Sequence, residues 1–164
     1  MIVCLDVDYR DDHAVVGCVG FTHWTDEAPA LERTVRVARA PGAYQPGAFY
    51  LRELPFLLDA LAQLPARPEA IVIDGYVWLG ENRPGLGARL YEALGAKTPV
   101  IGVAKRRFHS ALAVEVRRGS SAQPLYLTAA GTDAAEAARH VRAMHGPHRL
   151  PTLLKRADRL ARGG

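Results

Sequence analysis

No stretch of this sequence approaches the ~20 consecutive apolar residues that a membrane-crossing helix needs, which argues against a helical span. Cysteine is scarce: Cys4 and Cys18 are the only two, too few for a disulfide scaffold. If Tyr9 to His13 forms the turn of a hairpin, the two would sit nearly opposite each other on adjacent strands. Two buried reduced thiols are the expectation. Six histidines are present without zinc-ligand spacing; His145 and His148 flank Gly146-Pro147 and have no cysteine partners. A large excess of one charge is also missing. The net charge of +4 and pI near 9.3 are compatible with a polyanionic partner without requiring one. Internal repeats and low-complexity tracts are absent. The first apolar run carries Asp6, which a signal peptide would not. A cytoplasmic protein without membrane association is expected.

What is present suits one α/β domain over residues 1–164: 49% hydrophobic and 23% charged residues, enough to bury roughly 70% of the unfolded surface. Ile2 to Tyr9 reads as a strand whose alternation places Ile2, Cys4, Asp6 and Asp8 on one face and Val3, Leu5 and Val7 on the other. His13 to Phe21 and Leu31 to Arg39 follow as strands, and the short connections make an antiparallel meander. Ala40 to Gly47, with two prolines and two glycines, is an irregular loop. A helix begins near Leu54 with Pro55 in its first turn. Its apolar stripe is Phe56, Leu57, Ala60, Leu61 and Leu64.

Ala70 to Ile73 is a buried strand, a helix runs from about Pro84 to Leu94, and Pro99 to Ala104 is the next strand. Leu112 to Val116 and Leu125 to Leu127 read as edge strands. Thr132 caps a helix reaching about Met144, and Leu150 to Arg162 forms the last helix.

Four acids attract attention. Asp74 ends an apolar strand just before Gly75, where open α/β sheets collect catalytic groups. It is a candidate metal ligand, or else a turn-forming or helix-capping residue. If the first strand and the Asp74 strand lie side by side and parallel, Asp6 and Asp74 emerge together. Glu53 opens the helix preceding the Asp74 strand. Asp158 borders the apolar stripe of the last helix; taken alone, it is better explained by an ion pair with Lys155 or Arg162, worth about 0.2–0.5 kcal/mol. Clustered carboxylates call for a cation. Mg²⁺, with Mn²⁺ as a substitute, accepts oxygen ligands, keeps waters and suits phosphodiester chemistry.

Tyr44-Gln45-Pro46-Gly47, the Leu51-Arg52-Glu53-Leu54-Pro55 run, Ile73-Asp74-Gly75, Pro99 to Lys105, Pro124 to Leu127 and Leu150-Pro151 to Ala157-Asp158 fall in the order of the endonuclease V motifs. The resemblance spans nearly the whole chain. It implies an RNase H-like mixed sheet, an antiparallel three-strand meander followed by parallel strands, flanked by helices. The implied activity is Mg²⁺-dependent hydrolysis of a phosphodiester 3′ to a deaminated purine in DNA or RNA, deoxyinosine or inosine, without an organic cofactor. Asp6, Glu53 and Asp74 would hold the metal, Asp158 would stand nearby as a fourth acid, and Lys105 would meet the scissile phosphate. Tyr44, stiffened by Pro46, would wedge into the gap left by a flipped base. Gly47 and Gly75 would line the base pocket.

The chain departs from the family where members carry Asp-Gly-His-Gly. Here Asp74-Gly75-Tyr76-Val77 replaces it, and Glu81 to Pro84 replaces a His-Pro-Arg stretch. The segment between Lys105 and Pro124 is shorter, and Asp8 is an added acid on the Asp6 face. The presumed metal ligands are all present while the recognition residues differ. Two other readings follow: an RNase H-like nuclease with another lesion or structure preference, and a nucleic-acid-binding module without turnover. Arg106, Arg107, Arg117 and Arg118 are candidates for tracking phosphates.

Overall fold

Runs of alternating or continuous β-branched residues become the strands of one sheet. The structure, a computed structural model, describes residues 1–38 and 50–163, with side chains from Arg52 onward in the second stretch. Strands β1 (Ile2–Tyr9), β2 (Ala14–Phe21) and β3 (Leu31–Val37) form the expected antiparallel meander. β4 (Ala70–Asp74) lies parallel to β1, and a third parallel strand, Val100–Ala104, lies beside β4. Between them the chain makes a small hairpin, β5 (Trp78–Gly80) and β6 (Arg83–Pro84), so Val100–Ala104 is β7. β8 (Val114–Val116) forms the far edge as expected, whereas β9 (Leu125–Ala130), expected at an edge, is paired on both sides between β7 and β8, giving the order β3-β2-β1-β4-β7-β9-β8. β9 is longer than the Leu125 to Leu127 expected and runs antiparallel to β7 along five residue pairs. The mixed sheet thus matches the RNase H-like arrangement, with an antiparallel edge added.

Helices cover both faces. α1 (Tyr50–Ala62) and α2 (Leu86–Ala93) pack on the side of Val3, Leu5, Ile71 and Ile73. α3 (Ala134–Ala143) and α4 (Thr152–Arg162) pack on the side of Ile2, Cys4, Val72 and Val103. α1 begins earlier than the expected start near Leu54, so Pro55 lies inside the helix. It gives up a backbone donor, and burial of Phe56 and Leu57, about 1.5–3 kcal/mol each, offsets that loss. Asp133, not Thr132, caps α3: its carboxylate accepts from Ala135 and Glu136 backbone N–H groups at 2.8 and 3.1 Å.

Two expectations need correction. Cys4 lies opposite Val19 and Cys18 opposite Leu5. Adjacent pairs point to opposite faces, so the thiols sit in different cores and are free. Arg118 is buried and not available to phosphates. Its guanidinium donates to the carbonyls of Met144, Gly146, His148 and Arg149, pinning the turn between α3 and α4. A shortened, polar β8–β9 region hides this role because its partners lie far along the chain.

Candidate active site

Register sets the site. Leu5 pairs with Ile73 across the parallel β1–β4 ladder, so Asp6 and Asp74 are the next residues out, side by side at the carboxyl ends of their strands. Each continues the alternation of Cys4 and Val72, on the face covered by α4. That face is close because Gly17 stands opposite Asp6 on β2. A Cβ at Gly17 would lie 2.2 Å from the Ala157 carbonyl oxygen and 2.8 Å from the Ala161 nitrogen. The backbone of α4 therefore rides directly on the sheet, and Asp158 arrives beside Asp6.

Asp6, Asp74, Lys105 and Asp158 line one cavity together with Leu154. A second, more open cavity on the α1 side is lined by Asp6, Glu53 and Asp74 with Leu57 and Leu86. The three expected metal acids thus share a cavity, and Glu53 reaches it from the first turn of α1. Lys105, just beyond β7, donates from Nζ to Asp74 Oδ2 at 2.7 Å. Arg162 Nε donates to Asp158 Oδ1 at 2.9 Å, the ion pair anticipated as an alternative for that residue.

The electrostatics follow from crowding. Burial, then the charges of Asp74 and Asp158 and a hydrogen bond shared with Asp158, push Asp6 up to about 7. Glu53 is likewise pushed up to about 7, chiefly by burial and then by Asp6 and Asp74 against the lowering effect of Tyr9 and Arg52. Asp158 is desolvated, yet the Arg162 hydrogen bond and charge hold it below the usual carboxylate range. Lys105 is also desolvated, but the hydrogen bond and charge of Asp74, with Asp6 and Asp158 behind it, raise it.

Among the described residues, no three histidine, cysteine, aspartate or glutamate side chains stand close enough to hold an ion without adjustment. The donors nonetheless fit a hard divalent cation: carboxylate oxygens from separate elements, raised proton affinity on two of them, and an ammonium already drawn onto a third. Asp8 stands apart from this set. It pairs with Arg10 Nε at 2.5 Å, and Arg10 also donates to the Arg162 carbonyl at 3.1 Å.

Around Gly75 the chain turns at φ +118°, a conformation that suits glycine, and a Cβ there would meet nothing within 4 Å. Open space therefore adjoins Asp74. The Tyr76 hydroxyl is engaged by the main chain: it donates to the Arg106 carbonyl at 2.7 Å and accepts from the Phe108 N–H at 2.9 Å. Tyr44, Pro46 and Gly47 lie outside the described residues.

Two neighbours of the acids escaped sequence reasoning. The Arg52 guanidinium lies 4.3 Å over the Tyr9 ring, and the buried Tyr9 hydroxyl faces the Glu53 carboxylate. Burial and the adjacent Glu53 charge raise that phenol. Tyr9 continues the alternation of Val3, Leu5 and Val7, and extending that pattern by one position was the available signal.

The family model for endonuclease V matches residues 1–132, a stretch ending before Asp158. Endonuclease V of Streptomyces coelicolor is 30% identical, the alignment covering 96% of this chain and 76% of that protein. The counterpart from Desulfurococcus amylolyticus is 29% identical over 96% of this chain and 78% of its own. Among solved structures, endonuclease V of Streptomyces avermitilis superposes with a TM-score of 0.78 at 27% identity, covering 98% of this chain and 79% of that one. Endonuclease V of Ciona intestinalis, in complex with a DNA 24-mer containing an inosine followed by a ribo-adenosine, gives a TM-score of 0.82 at 20% identity over 98% and 84% of the two chains. At that identity the likeness speaks for the fold.

Proposed function

The chain belongs to the endonuclease V family, and from that premise we propose that it hydrolyses a phosphodiester bond on the 3′ side of a deaminated purine in nucleic acid. Asp6, Glu53 and Asp74 would hold the Mg²⁺, with Mn²⁺ able to replace it and Asp158 bordering the set. The observation that carries this reading is the single cavity shared by Asp6, Glu53 and Asp74. A divalent ion bound there supplies water activation and stabilisation of the leaving oxygen.

The protein's own groups supply the rest. Asp6 and Glu53, whose proton affinity is raised by burial and mutual repulsion in the metal-free fold, would be held ionised by a divalent cation that offsets that repulsion. Lys105 brings an ammonium to the same point, where it can offset charge developing on a phosphate. Gly75 leaves room for a planar ring next to Asp74. Its backbone groups can tell a carbonyl acceptor from an amino donor, the difference deamination makes. The relatives named above and the inosine-containing DNA bound by the Ciona protein support a deaminated purine as the target. Tyr44, Pro46 and Gly47 would complete the pocket and the wedge.

A second reading, a nuclease of the same fold with another lesion or structure preference, is favoured by Tyr76. Its hydroxyl is spent on Arg106 and Phe108 where the family carries histidine. One assay separates the readings: labelled oligonucleotides with one inosine or deoxyinosine, incubated with Mg²⁺ or EDTA, beside Asp74→Asn. Nicking beside the lesion that requires both Mg²⁺ and Asp74 supports the first. Cleavage indifferent to the lesion supports the second, and binding without product removes both in favour of a module without turnover.

A further inference from the structure

Lys105 and the divalent ion of the proposed function require the same partner. The Nζ–Oδ2 contact of 2.7 Å to Asp74 is a full charge-assisted hydrogen bond. The ammonium lines the cavity shared by Asp6, Asp74 and Asp158. Asp158 has its own cation in Arg162, and Asp8 has Arg10. Among the described residues, Lys105 is thus the cation hydrogen-bonded to Asp74 at the centre of the cluster. The contact is also replaceable, because the two side chains are 38% and 40% exposed, so solvent and ions reach both.

The main chain at Lys105 is held independently of this contact. Arg149 donates to the Lys105 carbonyl, and Tyr76 accepts and donates across residues 106 and 108. Releasing Asp74 therefore moves the four-carbon side chain without unseating the strand end.

Resting on the reading above, we infer that Lys105 is the resident cation of the carboxylate site, held on Asp74 in the metal-free protein and handed to a nucleic-acid phosphate when a divalent ion replaces it. Ion binding and nucleic-acid binding are then coupled through one ammonium. The ion must displace Lys105, and the displaced Lys105 becomes available to the phosphate. By linkage the coupling is reciprocal.

The test measures binding, not turnover. Free Mn²⁺ is titrated by electron paramagnetic resonance against wild type, Lys105→Gln, Lys105→Arg and Arg106→Gln, the last removing equal charge one residue further on. Lys105→Gln is expected to bind Mn²⁺ about fivefold tighter, the ceiling for a partly exposed ion pair. Lys105→Arg and Arg106→Gln should stay within about twofold of wild type. In fluorescence anisotropy, Ca²⁺ should tighten binding of a labelled inosine oligonucleotide by wild type several-fold and leave Lys105→Gln nearly unchanged. Equal Mn²⁺ affinity for wild type and Lys105→Gln, or equal tightening by Arg106→Gln, overturns the displacement idea while leaving the metal site standing. Absence of Mn²⁺ binding by wild type and all variants at millimolar ion overturns the metal site itself.

Discussion

Asp6 is where function and stability pull against each other at the scale of one residue. Its proton affinity in the fold, pushed up to about 7 by burial and by Asp74 and Asp158, exceeds that of an unfolded aspartate, near 4. The folded state therefore binds more protons than the unfolded one between those two values. The associated stability is complete below about pH 4, is lost as pH rises through about 7, and stays absent above. Asp6→Asn removes the ionisable group. In EDTA at pH 8 it should raise stability by about 1–2 kcal/mol, or roughly 3–6 °C in melting temperature. The gain should vanish at pH 4; calorimetry at the two pH values checks this, and an equal gain at both would contradict it. The two strand-end acids were legible because each interrupts or ends a β-branched run. Tyr9 was not, since an aromatic at the end of an alternating strand looks like core until Glu53 is placed beside it by α1.

The elements bring distant residues together through backbone contact. Gly17→Ala would drive a methyl into the Ala157 carbonyl and the Ala161 nitrogen, and a helix backbone cannot yield as a side-chain end can. A destabilisation of about 2–3 kcal/mol is expected, together with loss of nuclease activity as Asp158 moves from Asp6; thermal melting and the oligonucleotide assay read the two effects. Arg118→Met should lower stability by about 2–4 kcal/mol through its abandoned carbonyls, while leaving the salt dependence of nucleic-acid binding intact. β4 and β7 could be read in sequence because buried parallel strands are continuous apolar runs, and β1 because its side chains alternate. The β5–β6 hairpin could not: its strands, Trp78–Gly80 and Arg83–Pro84, are too short for periodicity, and Asn82 takes a positive φ of 52° in the turn that joins them. The seating of α4 on Gly17 was equally hidden, for no local pattern in β2 announces a partner some 140 residues away.

For the whole molecule, a modest positive charge of +4 faces a polyanion through a limited set of side chains. Arg107→Gln, on an exposed guanidinium that meets Glu115 only at 3.8 Å, should reduce the slope of log affinity against log salt by about one if it contacts a duplex phosphate. Metal and fold are linked in the same way. Saturating Mn²⁺ at pH 8 should raise the melting temperature of wild type by several degrees and leave Asp74→Asn unmoved. Under the proposed function, carboxylates from β1, α1 and β4 receive one divalent ion at the strand ends. The most direct measurement is an anomalous difference map from a Mn²⁺-soaked crystal. A peak bounded by Asp6, Glu53 and Asp74, with Lys105 withdrawn from Asp74, is the predicted result; a fully soaked crystal with no peak among those three side chains would contradict it.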